Sequence, residues 1–130
     1  MDAYKLDPFV GVKFNKDTMD CADLVMKIRR ELFDHDIILP QGHPRGPLNF
    51  RQIGDLSKAF AELTTRPEDG DLVLMKDGGT EFPGHVGVWF FVAYVPYVLH
   101  VTEKLKFSML DKLSDLPDRG LRLEGIYRWK

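Results

Sequence analysis

The sequence predicts an α+β fold in which an N-terminal central helix packs on an antiparallel β-sheet. Apolar residues recur at helical spacing from about Cys21 to Phe33. From Asp71 onward the chain changes to short runs rich in β-branched and aromatic residues, broken by Gly, Pro and Asp. Length completes the expectation. A chain of 130 residues fits a single domain, 1–130, with a helical part over about 1–66 and a sheet part over about 67–130. Such a chain buries about two thirds of its unfolded surface, enough for one core.

Each element has its own local cause. Pro8-Phe9-Val10-Gly11-Val12-Lys13-Phe14 is a short apolar arm expected beside the first helix, and Asn15 to Thr18 is a polar turn. Asp20 is a good N-cap, and Asp23 sits in the first turn of the helix, where negative charge meets the positive end of the dipole. Cys21, Leu24, Val25, Ile28 and Leu32 line one face, while Asp23, Lys27 and Arg30 line the other. After Ile37-Ile38-Leu39-Pro40, the Gly- and Pro-rich stretch Gln41 to Pro47 precludes regular structure. A second helix is expected from about Phe50 or Ile53 to Leu63, and Pro67 to Gly70 ends that unit.

Strands are expected at Asp71–Met75, at His85 to about Phe91 and at Tyr97–Val101, the last returning antiparallel. Ala93-Tyr94-Val95-Pro96 holds the reversal on the ground that Pro does not serve a central strand. Lys104–Phe107 reads as a further strand, Ser108–Leu113 as a helical turn capped by Ser108, and Leu123–Trp129 as the final strand. Phe90 to Tyr94 forms an apolar hairpin that suits either core or an exposed aromatic patch.

Composition narrows the function. At 44% apolar and 29% charged residues, the chain is too apolar to be disordered. A net charge of −2 without a basic cluster argues against nucleic acid as a partner. The most apolar region, Gly87–Val101, is interrupted by Pro96 and suits two buried strands rather than a membrane span. The first residues lack the apolar core of a secretory signal, so synthesis in the cytoplasm is expected. A single cysteine allows no internal disulfide and no Cys-based zinc site. His85, His100 and Glu103 lack a metal-ligand spacing, and no metal or cofactor is expected.

Cys21, His85 and His100 are the candidates for chemistry. A helix N-terminus offers partial positive charge and free N–H groups, which favour a thiolate at Cys21 and a backbone oxyanion site at the same residue. His85 opens a strand after Pro83-Gly84 and can act as base, and His100 on the neighbouring strand can orient it. The bland alternative is a core cysteine and two structural histidines. His35 and His43 lie in polar surroundings and read as solvated.

Four short motifs favour the first alternative. Asp20-Cys21-Ala22-Asp23-Leu24-Val25 resembles the nucleophile motif of the NlpC-type cell-wall peptidases, a papain-like cysteine peptidase family. Pro67-Glu68-Asp69-Gly70-Asp71-Leu72-Val73-Leu74 is similar to that family's strand entry, Gly84-His85-Val86-Gly87-Val88 to its His-Val-Gly strand, and Val98-Leu99-His100-Val101 to the strand carrying its third polar residue. Phe9 to Phe14 and Ile37 to Pro40 resemble the compact version found in phage tail assembly proteins. The resemblance implies a papain-like NlpC-type fold, Cys21 as nucleophile, His85 as base and His100 as orienting residue. It further implies a peptidoglycan stem peptide as substrate, cleaved between D-glutamate and a diamino acid, and other phage tail proteins as partners in a virion. Lys16-Asp17-Thr18-Met19 and Asp23 stand where the family commonly has small residues. A structural module of a phage tail tip without catalysis, and a Cys-His amidase or acyltransferase, are the other functional readings.

Overall fold

A computed structural model describes residues 1–37, 59–78 and 84–130 of the chain. The expected loop at 40–47, and the expected second helix up to residue 58, lie outside the described residues, as does His43.

The central helix, α1 (Cys21–Phe33), has the bounds its sequence predicts. Asp20 accepts from the Asp23 N–H and the Asp23 carboxylate accepts from the Asp20 N–H, a reciprocal capping box. The helix ends at Asp34, which takes the left-handed conformation and returns its N–H to the Arg29 carbonyl. Leu24, Val25 and Ile28 form its buried stripe.

The sheet comprises β1 (Ala61–Leu63), β2 (Leu72–Asp77), β3 (His85–Val92), β4 (Val95–His100), β5 (Met109–Lys112) and β6 (Leu121–Trp129). Its order is β1-β6-β2-β3-β4-β5, and every paired neighbour is antiparallel. Alternation along β2 sends Leu72 and Leu74 to the α1 face and Val73 and Met75 to the other. The α1 face also packs Val86, Val88, Phe90 and Leu99 with Leu6 and Phe9 of a short 3-10 helix, Ala3–Phe9, so the N-terminal arm does lie beside α1. The second face packs Trp89, Val98, Leu121 and Ile126 under Leu116 of another 3-10 helix, Leu113–Arg119. Both faces are therefore covered, and the strands read as continuous apolar runs for that reason.

Several expectations give way here. Ala61–Leu63 is strand rather than the end of a helix, because it pairs with β6 at the sheet edge. Lys104–Phe107 is not a strand: residues 103–105 turn, and only Phe107 bridges, to Lys13. The expected helical turn at Ser108–Leu113 is strand β5, and its 3-10 helix follows instead. Ser108 caps nothing; its hydroxyl accepts from the Val12 N–H and donates to the Phe9 carbonyl, tying the arm to the sheet. The last strand begins at Leu121 rather than Leu123.

Pro96 lies inside β4, opposite Phe91. It is tolerated there because β5 pairs β4 only from Tyr97 onward, which leaves no ladder bond for Pro96 to miss. The reversal is confined to Ala93 and Tyr94, both at positive φ (50° and 66°), the arrangement of a tight two-residue hairpin. Along this hairpin Phe90 is core while Phe91 and Tyr94 are exposed, so both expectations hold for alternate residues.

Among the described residues, no helix is long and apolar enough to cross a membrane.

Candidate active site

Cys21 is the first residue of α1 and is half-buried. The capping box occupies the N–H groups of Asp20 and Asp23, so it leaves those of Cys21 and Ala22. The sulfur meets the backbone N–H groups of Val86 and Ala22, which favour its thiolate. Sheet register explains why Val86 is free to do so. Trp89 bonds back toward Gly70 and Asp71 with both its N–H and its carbonyl, so in β3 the odd residues face β2 and the even ones face β4. The β3–β4 ladder ends at Val88 opposite Leu99, which leaves the Val86 N–H beyond the last pair.

His85 is the residue before Val86 and starts β3. Its Nε2 lies 2.9 Å from Nδ1 of His100, the last residue of β4. The two strands approach this closely because Gly87 lies between them. A Cβ at Gly87 would stand 2.7 Å from Val98 Cγ2, 3.0 Å from the Leu99 carbonyl oxygen and 3.1 Å from His100 Cβ. The contacts around Gly87 also place its face on the Val98 side of the sheet, away from α1.

The chain of hydrogen bonds continues beyond the expected residues. His100 Nε2 lies 2.8 Å from Asp111 Oδ2 in β5. Arg119, at the end of the second 3-10 helix, donates from Nη2 to Asp111 Oδ1 at 3.1 Å and from Nε to Oδ2 at 3.3 Å. Asp111 and Arg119 went unrecognised in the sequence, where Asp111 falls in a stretch that reads as helical turn. A carboxylate between Leu110 and Lys112 in a strand must face inward or outward, and facing inward it requires partners.

The structure thus joins His85 to His100 directly and brings Cys21 to the residue following His85. The thiol itself is not a member of the His85–His100–Asp111 chain of hydrogen bonds. The sequence assigned the thiolate to a favourable helix start, and the surroundings reverse that assignment. Burial pushes the Cys21 thiol up to about 12, with the adjacent Asp20 carboxylate and then Asp23 adding to the rise. Desolvation and two carboxylates outweigh the helix dipole. His85 moves the opposite way, to about 3, through burial and then through its contact with His100. His100 is also lowered by burial, although its bond to Asp111 works against the shift. Burial raises Asp111, but the hydrogen bonds from Arg119 and His100 prevail and hold the carboxyl below its usual range. These shifts favour the neutral thiol, neutral imidazoles and an ionised Asp111 carboxylate at neutral pH.

The remaining candidates separate from this site. His35 is half-buried: its Nδ1 meets the Arg29 guanidinium at 2.9 Å and 3.1 Å, and its ring packs edge-to-face with Trp129. Asp71, in the strand-entry motif, is buried and held by Arg128 Nε at 2.8 Å, and Asp69 accepts from the Phe91 N–H. Both therefore serve the sheet. Among the described residues, no group of three or more His, Cys, Asp or Glu side chains is arranged to hold a metal ion. No protein-family model matches the chain, and no curated protein matches it either.

Proposed function

We propose that the chain is an NlpC-type, papain-like cysteine peptidase acting on peptidoglycan stem peptides, with Cys21 as nucleophile, His85 as general base and His100 orienting His85. The observation that carries this reading is the joining of His85 to His100 at 2.9 Å one residue from the Val86 N–H that meets the Cys21 sulfur. With Nε2 of His85 taken by His100, Nδ1 is the ring nitrogen left to receive the thiol proton. The sulfur then attacks the scissile carbonyl carbon, and its proton passes to His85. Collapse of the tetrahedral intermediate expels the amine with that proton, leaving a thioester that water hydrolyses. The N–H group of Cys21 is suited to the oxyanion.

A neutral thiol in the resting state means that proton transfer accompanies attack rather than preceding it. The substrate expected from the motifs is the bond between D-glutamate and a diamino acid, and the setting a phage tail. Incubating the purified protein with a panel of stem peptides, followed by mass spectrometry, tests this. The expected outcome is cleavage by the native chain and a fall of about a thousandfold or more in Cys21→Ala and His85→Ala, with the fold intact. Undiminished turnover by Cys21→Ala would rule the peptidase out.

One observation favours a second reading, a structural module of a tail tip that keeps the fold without catalysis. The carboxylates of Asp20 and Asp23 both oppose ionisation of Cys21. Under that reading the native chain cleaves no stem peptide and alkylates at the rate of an ordinary buried thiol. A reactive thiol without stem-peptide cleavage would instead favour an amidase or acyltransferase.

A further inference from the structure

We propose that Asp111, clamped by Arg119, is a positioning residue that sets the tautomer of His100 and, through it, leaves the free lone pair of His85 on Nδ1. The inference rests on the peptidase reading for its catalytic meaning, while the hydrogen-bond assignment stands on the geometry alone.

An ionised carboxylate has no proton to give, so at the 2.8 Å contact Asp111 Oδ2 accepts and His100 Nε2 carries the hydrogen. A neutral imidazole with a proton on Nε2 has a bare lone pair on Nδ1. At the 2.9 Å contact that lone pair accepts, so His85 donates from Nε2. His85 Nδ1 is then unprotonated and carries the free lone pair. The opposite polarity would put a hydrogen on His85 Nδ1 and leave it unable to take a proton from the thiol. One buried carboxylate therefore decides which nitrogen of a histidine two residues away in the relay can act as base.

Arg119 makes the arrangement durable. Its guanidinium engages both oxygens of Asp111, which fixes the carboxylate plane and keeps it ionised. Nη2 of Arg119 also lies 3.6 Å from Sδ of Met109, the residue that pairs with His100 across the β4–β5 ladder. His100 is fully buried and Asp111 nearly so, which makes the carboxylate the acceptor that His100 Nε2 meets. The orienting unit is thus an imidazole, a carboxylate and a guanidinium in series, not an imidazole alone.

Long-range 1H–15N correlation spectra of the 15N-labelled full chain read the tautomers directly. At neutral pH, His85 and His100 in the native protein are expected to be neutral with the proton on Nε2. A proton on Nδ1 of His85 in the native protein would overturn the proposal, whatever any variant does. In Asp111→Leu, which removes the acceptor, an Nδ1-protonated population is expected on both rings. On any stem peptide that the native chain cleaves, kcat of this variant is expected to fall about 100-fold or more, with KM changed less than about threefold. A fall in kcat with both tautomers unchanged would make Asp111 merely structural and sink the inference. Expected tautomers in a native chain that cleaves nothing would uphold the hydrogen-bond assignment and overturn only the peptidase reading.

Discussion

The thiol half and the imidazole half of this site are built in different ways. The thiol half is local: Asp20, Cys21, Ala22 and Asp23 are consecutive, and a capping box within them sets the start of α1. The imidazole half is assembled from β3, β4, β5 and the 3-10 helix that follows, on the sheet face opposite α1. The halves meet only at the open end of β3, where the β4 ladder has stopped and Val86 has an N–H to spare. Local residues can place a thiol at a helix start, but only packing from several segments can join two imidazoles and a carboxylate in one chain of hydrogen bonds.

The largest break in that comparison comes from the seam between β3 and β4. Gly87→Ala adds a Cβ that meets the β4 backbone at Leu99 and the His100 side chain. A loss of about 1–3 kcal/mol is expected in chemical denaturation, together with loss of the His85–His100 hydrogen bond, while the α1 cap stays intact. An NMR spectrum in which the α1 signals move as much as those of β3 and β4 would contradict the independence of the two halves.

Acid and base should separate the halves next. The folded-state value of His85, about 3, lies below its ordinary 6.5, so the unfolded chain binds the proton better. Stability is present above pH 6.5 and is lost as pH falls toward 3, by at most about 1.4 kcal/mol per pH unit. Cys21 has the opposite sign. Its value of about 12 lies above the ordinary 9.0, so stability is lost as pH rises from 9.0 toward 12. Urea titrations across pH should show a plateau between these limits, with Cys21→Ala flattening only the alkaline arm and His85→Gln reducing only the acid arm.

The smallest effect sharpens the thiol half alone. Asp23→Asn removes one of the two carboxylates that oppose ionisation and weakens the capping box, at a cost of about 1 kcal/mol in stability. Iodoacetamide alkylation followed against pH should show Cys21 ionising at lower pH in this variant. An unshifted profile would mean that burial and Asp20 are enough to hold the thiol neutral.

Local residues were sufficient for the α+β class, for α1 from Cys21 to Phe33, and for strands at His85 and near His100, because caps, periodicity and β-branched runs act over a few neighbours. They also marked Cys21, His85 and His100 as candidates, once the short motifs around them were taken together. They failed at β5, where Met109-Leu110-Asp111-Lys112 lacks an apolar alternation of its own and becomes a strand by pairing with β4. The same failure concealed Asp111 and Arg119, whose meaning lies in residues far along the chain from Cys21. Tertiary structure alone decided the protonation of Cys21 as well, since a helix start favours the thiolate until burial and neighbouring carboxylates outweigh the dipole. Sequence determines which groups are present and how each segment tends to fold; which nitrogen faces which oxygen depends on strands that meet only after the sheet has closed.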